Sequence, residues 1–480
     1  MESRRRRRKA LFRKRELFAL ALMLIGVLVL FAATGSFKVI SLMFKEPNPA
    51  VYQKGERVQL KDTKVDSEQA EYKNWIGTIS DIQSQDDGEK NITYTYTVTY
   101  EDGEVSQGIA EGALTYAASA KYEVGDELQL TSTAQTDLDG ESLGDYKGMV
   151  AKVDKVSYNY LSSEGGYKYD VTFPDLDLSY KNIQESALQN LYQVKLKAEN
   201  SAAENTAALK EAFSYAAENP YTILNLPSGD FTIGSQDPGK DYVTLSSDTH
   251  LRGNDTNLIV DGKVYWLGFA TGPNAADGVK NFTMTNVNVR AKDLVNGNQF
   301  MIMVDHGENW TITGNTFTMV QAKASHIFDL GGLQNSYFDS NQFIGYAPSL
   351  TSVTHLASDA DLHDFYAEAI QFDGSGNGAW DGGIIQAVDK DYASKHTSVQ
   401  LCDNITVSNN QFLPYIDESG TVVAYGPTVG QHSTDTGVIS LYNNTLTSTL
   451  SARYGSTEWV MEPIHFSPNS QEIVSYNIIN

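Results

Sequence analysis

NFTMTNVNV, beginning at Asn281, is the first of several similar phrases in the second half of this 480-residue sequence. The related phrases are NWTITGNTF from Asn309, NSYFDSNQF from Asn335 and NITVSNNQF from Asn404, with weaker copies from Val438 and Gln471. Each phrase combines the alternation of a short strand, a polar turn rich in Asn, and a hydrophobic residue that starts another strand. The phrases start 28, 26, 69, 34 and 33 residues apart, and such spacings are typical of solenoids. Because Asn tolerates left-handed backbone geometry, its turns can stack as a ladder, and the phrases predict a right-handed parallel β-helix.

The residues before the phrases resemble the start of pectate-lyase-like β-helix proteins. An amphipathic helix is predicted from Asn205, followed by YTILNLPSGDFTIG (221–234) and HLRGNDTNLIV (250–260). In that superfamily a helix caps the N-terminal end of the coil, which would otherwise expose unpaired strand edges. The resemblance covers about residues 200–480 and implies the fold. It does not imply one activity, because the superfamily includes hydrolases, lyases, epimerases and binding proteins.

The N-terminus has the pattern of a membrane anchor. Nine Lys and Arg residues occur in the first 15 positions, and the uncharged, Leu-rich segment 17–33 follows. We predict a cytoplasmic segment at 1–16 and a transmembrane helix at 17–37, with the remainder of the chain outside the cell. A cleaved signal peptide is the alternative.

The charge and the cysteine content of the chain indicate its cellular environment and exclude some classes of binding partner. The chain after residue 16 retains 27 basic and 58 acidic side chains, a formal charge of −31. Nucleic acid and anionic lipid surfaces are therefore poor partners for it. The single cysteine, Cys402, excludes an intrachain disulfide. This composition suits the surface of a Gram-positive cell.

A longer repeat occupies the region between the anchor and the β-helix. YQKGERVQL from Tyr52 returns as YEVGDELQL from Tyr122, and EGAL from Glu111 returns as ESAL from Glu185, at separations of 70 and 74 residues. This pattern looks like tandem SH3-like modules of bacterial cell-wall proteins. The predicted organisation is therefore mainly β, with SH3-like barrels at 50–118 and 120–182, a helical linker at 183–204 and the β-helix at 205–480.

The polar residues that suggest chemistry are concentrated in the β-helix. All eight histidines lie between His250 and His465, and the unusually long interval of 69 residues contains a polar insertion from Tyr346 to Tyr366. Long loops on a solenoid often line a site. The segment from Glu368 to Asp373 also looks like one in surface β-helix proteins of Gram-positive bacteria, which are commonly taken for polysaccharide-active enzymes.

Aligning the strands before the Asn phrases gives a register. We expect Ile302, Ile327, Ile370 and Ile464 to point inward, so that Met303, Phe328, Gln371 and His465 share the outer face. Asp305 and Asp373 lie two residues further along this face. Asp329 breaks the alternation and is expected at a bulge or turn. Strict alternation turns Glu368 inward, which a carboxylate tolerates only if it is paired or lies at a strand start.

The spacing of these acids suggests glycosidic bond cleavage. Adjacent rungs lie about 4.8 Å apart, and paired carboxyls about 5 Å or about 6.5–9.5 Å apart serve retaining or inverting glycosidases. Asp305 and Asp373 are two rungs apart in this register. The favoured catalytic pair is Asp373 with Asp329 or Glu368. The side chains expected to bind sugar are His326, Gln371, His465, His363, Tyr366 and Trp380, with the tryptophans as stacking platforms.

Three alternatives to a hydrolase remain open. A polysaccharide lyase or epimerase would commonly use Ca²⁺ with Arg or Lys, but only four Lys and Arg residues follow Phe300. The ordered motifs of polygalacturonases are also missing. A glycan-binding adhesin or a structural spacer are the non-catalytic alternatives. The expected partner is a polysaccharide of the cell wall, capsule or exopolysaccharide, with no cofactor required by a hydrolase, and a homo-oligomer is left open.

Overall fold

The computed structural model describes most of the chain. The described residues are 19–23, 25–26, 29, 48–61, 70–88, 91–100, 103–158, 166–235, 241–269, 278–321, 325–346, 368–375, 400–431, 435–447, 463–467 and 469–480. They divide into two compact units, residues 1–121 with 157–168 and residues 122–156 with 169–480.

The predicted membrane span at 17–37 lies largely outside the described residues. Those of its residues that are described, 19–23, 25–26 and 29, are helical. No helix formed by described residues combines the length and the apolar character that a membrane crossing requires. The membrane anchor therefore stays a prediction.

The first repeat forms a five-stranded antiparallel sheet with the order β4-β3-β2-β1-β5. Its strands are β1 Arg57–Leu60, β2 Ile76–Asp86, β3 Ile92–Tyr100, β4 Val105–Ala110 and β5 Leu114–Tyr116. Short 3-10 helices occur at Ala70–Tyr72 and Glu111–Ala113. The alternating side chains of β1 and β3 enclose a small core that includes Val58, Tyr96 and Val98.

The second repeat forms a sheet with the equivalent order, β10-β6-β7-β8-β9. Its strands are β6 Glu127–Leu130, β7 Ala151–Tyr158, β8 Tyr167–Phe173, β9 Leu178–Gln184 and β10 Leu188–Asn190. The 3-10 helices here are Gly144–Tyr146, Pro174–Leu176 and Glu185–Ala187.

Each of the two sheets contains the same set of internal hydrogen bonds at equivalent positions. The hydroxyl of Tyr52 donates to the Leu114 carbonyl at 2.8 Å, and that of Tyr122 donates to the Leu188 carbonyl at 2.9 Å. In both repeats a second tyrosine hydroxyl donates to a glutamate at 2.5 Å; the pairs are Tyr96 with Glu111 and Tyr169 with Glu185. The internal duplication is therefore structural, whereas its assignment as a pair of SH3-like barrels remains a prediction.

The helical linker predicted at 183–204 is wrong up to residue 201, since the helix begins only at Ala202. Ile183 lies in β9, and Leu188 begins β10, which pairs with β6. Both side chains are buried in the second sheet. The cause is the repeat itself: Leu188 is the counterpart of Leu114, so this segment supplies the closing strand rather than a helix.

Helix α1, Ala202–Glu218, precedes the coil and begins three residues before the predicted start. Ser201 and Glu204 form a reciprocal capping box, in which each side chain accepts a hydrogen bond from the other's backbone N–H at 3.3 and 2.8 Å. This arrangement satisfies two of the amide groups that a helix start leaves unpaired. The apolar face of α1, including Leu209 and Phe213, joins the core of the β-helix, as expected for a capping helix.

The rest of the chain is one parallel coil in which the strands pair along three stacks. The first stack contains β12 Thr222–Asn225, the first parts of β15 Thr249–Phe269 and β16 Phe282–Ala291, β18 Thr311–Thr313, β21 Gln334–Asp339, β24 Asp403–Ser408, β29 Val438–Tyr442 and β32 Gln471–Ser475. The second contains β13 Gly229–Ser235, later parts of β15 and β16, β19 Thr316–Gln321, β22 Gln342–Tyr346, β25 Gln411–Leu413, β30 Thr445–Leu446 and β33 Ile478–Ile479. The third contains β14 Val243–Thr244, the end of β15, β17 Gln299–Asp305, β20 Phe328–Gly331, β23 Glu368–Asp373, β28 Thr428–Gly430 and β31 Ile464–His465.

Two short additions complete the described strands. Strand β11, Tyr192–Gln193, pairs with β12 at the start of the coil. Strands β26 Tyr415–Ile416 and β27 Val422–Ala424 form a separate antiparallel pair. The parallel pairing of the three stacks confirms the predicted β-helix.

The predicted Asn ladder is present inside the turn between the first and second stacks. It consists of the residues Asn315, Asn341, Asn410, Asn444 and Asn477. From the second member onward, each side-chain oxygen accepts from the backbone N–H of the preceding member at 2.9–3.0 Å. Each of the last four amide groups also donates to a backbone carbonyl in the rung before it. The ladder thereby satisfies turn groups that would otherwise be buried without partners.

Aromatic rings fill the interior of the coil. Phe317, Phe343 and Phe412 stack in successive rungs at centroid distances of 5.3 and 4.9 Å. Trp266 and Trp310 are also fully buried. The prediction that the tryptophans form sugar platforms is therefore wrong for these two, because both rings belong to the core of the β-helix.

Candidate functional site

The candidate site lies on the outward face of the third stack. Register aligns Met303, Asp329, Gln371, Gly430 and His465 in one column across five consecutive rungs. Three of the predicted residues, Asp329, Gln371 and His465, therefore share one face. The rung of β28 between Gln371 and His465 was not recognised in the sequence, because its three residues carry little alternation.

The predicted register is wrong by one residue at β20. Phe328, not Ile327, aligns with Ile302 and Ile370 and enters the core. Asp329 consequently sits in the outward column without a bulge. A slip of one residue exchanges the two faces of a strand, and here the ring of Phe328 packs against Phe317 at 5.4 Å.

Glu368 occupies the centre of the site. The register shifts between Glu368 and Ile370, and the consecutive residues Ala369 and Ile370 both belong to the core. This irregularity releases Glu368 from the inward position that strict alternation predicts. Its Oε1 lies 2.5 Å from Nε2 of His465, so the buried carboxyl is paired, as its burial requires.

A second imidazole lies beside the same carboxyl. His326 Nδ1 is 3.8 Å from Glu368 Oε2 and 2.9 Å from the Glu368 carbonyl oxygen. Because a carbonyl only accepts, Nδ1 of His326 carries the proton. Gln321 donates to the same carbonyl at 3.0 Å. These contacts fix the backbone from which the Glu368 side chain projects.

The dyad of Glu368 and His465 has one buried and one accessible member. The side chain of His465 is 21% exposed and that of Glu368 is 1% exposed. With Nε2 of His465 held by the carboxyl, Nδ1 is the ring nitrogen that can give a proton to a ligand or take one from it. The carboxyl behind it orients the ring, a recurrent arrangement in acid–base catalysis.

The other predicted acids lie on the same stack of strands as this dyad. Asp305 and Asp373 occupy one column with Gly331 between them, so they are two rungs apart, as predicted. Asp305, Asp329 and Asp373 are all at least nine-tenths buried. Their placement does not match the expectation of an open acidic groove.

Two residues near Asp305 were not predicted. Nε2 of His306 lies 2.9 Å from the hydroxyl of Ser375, and its Nδ1 lies 3.2 Å from Asp305 Oδ1. The Ser375 hydroxyl also accepts from the Gln400 backbone N–H at 2.8 Å. All three side chains in this chain of contacts, Asp305, His306 and Ser375, are buried. We assign them to fastening the turn that follows the third stack; the Asp-His pair at the end of β17 was the available sequence signal.

Cys402 lies next to this turn, and its thiol is unreactive. Its Sγ donates to the carbonyls of Leu330 and Asp373 at 3.1 and 3.3 Å. Burial raises the pKa of its thiol to about 12. The thiol therefore stays protonated at neutral pH and is a poor nucleophile.

Some predicted site residues lie outside the described part of the chain. These are His363, Tyr366, Trp380 and the remainder of the insertion after Tyr346. Within the described ranges, no group of three or more His, Cys, Asp or Glu side chains is arranged to hold a metal ion.

Comparison with known proteins gives structural similarity only. No family model and no curated protein sequence matches the chain. The surface protein and adhesin PfbA of Streptococcus pneumoniae is 16% identical, with coverage of 60% of this chain and 67% of that chain and a TM-score of 0.43. The A-module of the mannuronan C-5 epimerase AlgE6 of Azotobacter vinelandii is 13% identical, with coverages of 60% and 99% and a TM-score of 0.18. Tailspike protein 3 of bacteriophage CBA120 is 10% identical, with coverages of 78% and 70% and a TM-score of 0.27. At these values the similarities carry no information on activity.

Proposed function

We propose that this protein is a membrane-anchored, extracellular enzyme that acts on polysaccharide, and that it hydrolyses glycosidic bonds. The observation that carries the proposal is the 2.5 Å contact between Glu368 and His465 on the outward face of the β-helix. A carboxyl–imidazole dyad with an accessible imidazole can donate a proton to a leaving oxygen or accept one from water. A long solenoid face also suits a chain-like substrate.

The proposal changes the predicted catalytic pair. The expected pair, Asp373 with Asp329 or Glu368, is replaced by Glu368 with His465, because the partly exposed ring of His465 gives this pair access to the surface, whereas both aspartates are buried. His326 is a positioning residue, since its contacts are with the main chain and carboxyl of Glu368.

A polysaccharide lyase or epimerase is the second candidate. The same dyad favours it, because an imidazole backed by a carboxyl can remove the proton next to a uronate carboxyl group. Such an enzyme would need a cation to neutralise that carboxyl group, which Ca²⁺ or a basic side chain could supply. The two reactions differ in their products: elimination leaves an unsaturated uronate, and hydrolysis does not.

The test uses full-length protein, wild type, Glu368→Gln and His465→Gln, with neutral, amino and uronate polysaccharides. New reducing ends are measured together with absorbance of the unsaturated uronate. We expect new reducing ends without that absorbance, reduced about 10²–10⁴-fold in both variants.

Glu308→Gln is the matched control, because Glu308 is a partly exposed carboxyl outside the third stack and pairs with Lys280. It should cleave like the wild type. Absorbance of the unsaturated product would indicate the lyase. Binding without any product in the wild type would instead leave a glycan-binding surface protein.

A further inference from the structure

The second sheet is held against the first coils of the β-helix by directed contacts. Arg252 forms a two-pronged ion pair with Glu127, with N–O distances of 2.5 and 3.1 Å. The backbone N–H of Ile223 donates to Gln129 Oε1 at 2.7 Å, and both residues are buried. Bidentate geometry of this kind fixes orientation as well as distance. These contacts therefore fix the orientation of the second sheet relative to the first coils at the corner where the two meet.

A cavity of about 300 Å³ opens beside this corner, a size at the lower end of the range for small-molecule sites. Its lining includes Asp145, Lys147, Tyr221, Asp248, Asn281 and Asn309. This lining combines apolar surface with side chains that include both hydrogen-bond donors and acceptors. A ligand that fits therefore presents groups that donate and accept beside an apolar surface.

The β-helix contributes to this cavity a row of stacked turn residues on its outer surface, which we call the external ladder. The first residue of this row is a tyrosine. Asp248, Asn281 and Asn309 all adopt left-handed backbone geometry, with φ of 52, 55 and 57°. Their side chains are linked, since Asn281 donates to Asp248 at 2.7 Å and Asn309 to Asn281 at 3.1 Å. Tyr221 precedes them in the same turn position with φ of 66°, a geometry that is uncommon for a bulky residue.

The ring of Tyr221 is oriented by the second sheet. Lys147 Nζ lies 5.5 Å from its centroid, within the range of cation–π attraction. Lys147 also donates to the Ser132 carbonyl at 2.8 Å. An aromatic surface is thus held at one end of the cavity, where the turn would otherwise favour Asn or Asp.

A strip of outward residues leads away from the cavity along the first stack. His250, Thr283, Thr311 and Tyr337 align in four consecutive rungs. Successive side chains are about 4.8 Å apart. The ring of Tyr337 is 57% exposed. The strip therefore joins hydroxyl groups to an exposed aromatic platform.

We propose that the cavity and this strip together bind a neutral saccharide chain, as a second carbohydrate contact on a different stack from Glu368 and His465. Sugar hydroxyls both donate and accept, which matches the Asn, Asp and Thr groups. The apolar faces of sugar rings match the tyrosines. Two carboxylates and one ammonium in the lining disfavour an anionic chain. The assignment of the ligand class rests on the proposed function, and the site would hold the polymer while the dyad acts on it.

The test measures binding by calorimetry in full-length Glu368→Gln protein, so that the ligand stays intact. The probes are linear hexasaccharides of glucose, galactose, mannose and N-acetylglucosamine, with hexagalacturonate as the anionic comparison. At least one neutral probe should bind and hexagalacturonate should not. Tyr337→Ala should raise the Kd of that probe about tenfold.

Asn309→Gly provides a second variant that keeps the left-handed turn while it removes the amide, and it should also weaken binding. Tyr476→Ala is the matched control, because Tyr476 is an exposed tyrosine of the last coil, at 86% exposure. The Kd of the neutral probe for this variant should equal that for the parent protein. Equal weakening by Tyr476→Ala, or binding of no neutral probe, would overturn the site. Binding with this pattern in a protein whose wild type cleaves nothing would retain the site and remove the enzymatic proposal.

Discussion

At the scale of single residues, the site depends on how closely two rungs approach each other beside the dyad. Gly430 lies between Gln371 and His465 in the outward column. A Cβ at this position would lie 2.0 Å from the backbone oxygen of His465. The rung that carries His465 can therefore pair with its neighbour only because residue 430 has no side chain.

Gly430→Ala should displace His465 from Glu368. We expect polysaccharide cleavage to fall at least about tenfold, and the free energy of unfolding to fall by about 1–3 kcal/mol, as for other overpacked sites. Initial cleavage rates and urea unfolding provide the measurements. Gly112→Ala is the control, because an added Cβ there meets nothing within 4 Å. Unchanged cleavage by Gly430→Ala would show that the dyad does not require this spacing.

At the scale of elements, the coil is held in register by buried amides as well as by apolar packing. Asn341 accepts from the backbone and side-chain nitrogens of Asn315, both at 3.0 Å. It donates to the Ile312 carbonyl at 2.8 Å and to Asn410 Oδ1 at 3.0 Å. One side chain therefore links the turns of neighbouring coils, and its loss leaves several buried groups without partners.

Asn341→Ala is expected to lower the free energy of unfolding by at least about 3 kcal/mol, because each unsatisfied buried group costs roughly 1–3 kcal/mol. The quantity can be measured by urea denaturation. Asn335→Gly tests the exposed ladder instead; Gly retains its left-handed backbone, with φ of 51°, and a much smaller effect is expected. Similar losses in both variants would contradict a special role for the internal ladder.

At the scale of the whole molecule, His250 couples the second sheet to the β-helix. Its Nδ1 donates to the Gly148 carbonyl at 3.2 Å, and its Nε2 accepts from the Thr285 hydroxyl at 2.8 Å. Burial lowers the pKa of His250 to about 4; the hydrogen bond to the Gly148 carbonyl and then Asp175 raise it to smaller extents, and Arg252 lowers it further. The ring is therefore neutral in the folded protein at neutral pH.

This pKa predicts acid sensitivity. The unfolded chain binds a proton near pH 6.5, whereas the folded chain binds it only near pH 4. Below pH 6.5 the unfolded state therefore holds more protons, so the stabilisation is complete above pH 6.5 and is lost as the pH falls toward 4. The loss at the lower limit is roughly 3 kcal/mol.

Urea unfolding at a series of pH values between 7.5 and 4 measures this loss. His250→Asn keeps a donor toward Gly148 but removes the titrating group, and it should reduce the slope between pH 6.5 and 4. An identical pH dependence in both proteins would show that other groups account for it.

The sequence by itself determined the coil, the capping helix and the duplicated sheets. These features depend on local information: alternation along a strand, Asn at the turns, and a repeat such as Tyr52 with Tyr122. Tertiary structure alone decided which polar groups meet. A slip of one residue places Asp329 rather than Phe328 outside, and a register shift frees Glu368 from the core. The rung at Gly430 lies between the rungs of Gln371 and His465. Across it His465 meets Glu368, which is 97 positions away in the sequence. Strand alternation carries no information about such distant registers, because each is set by how successive coils pack.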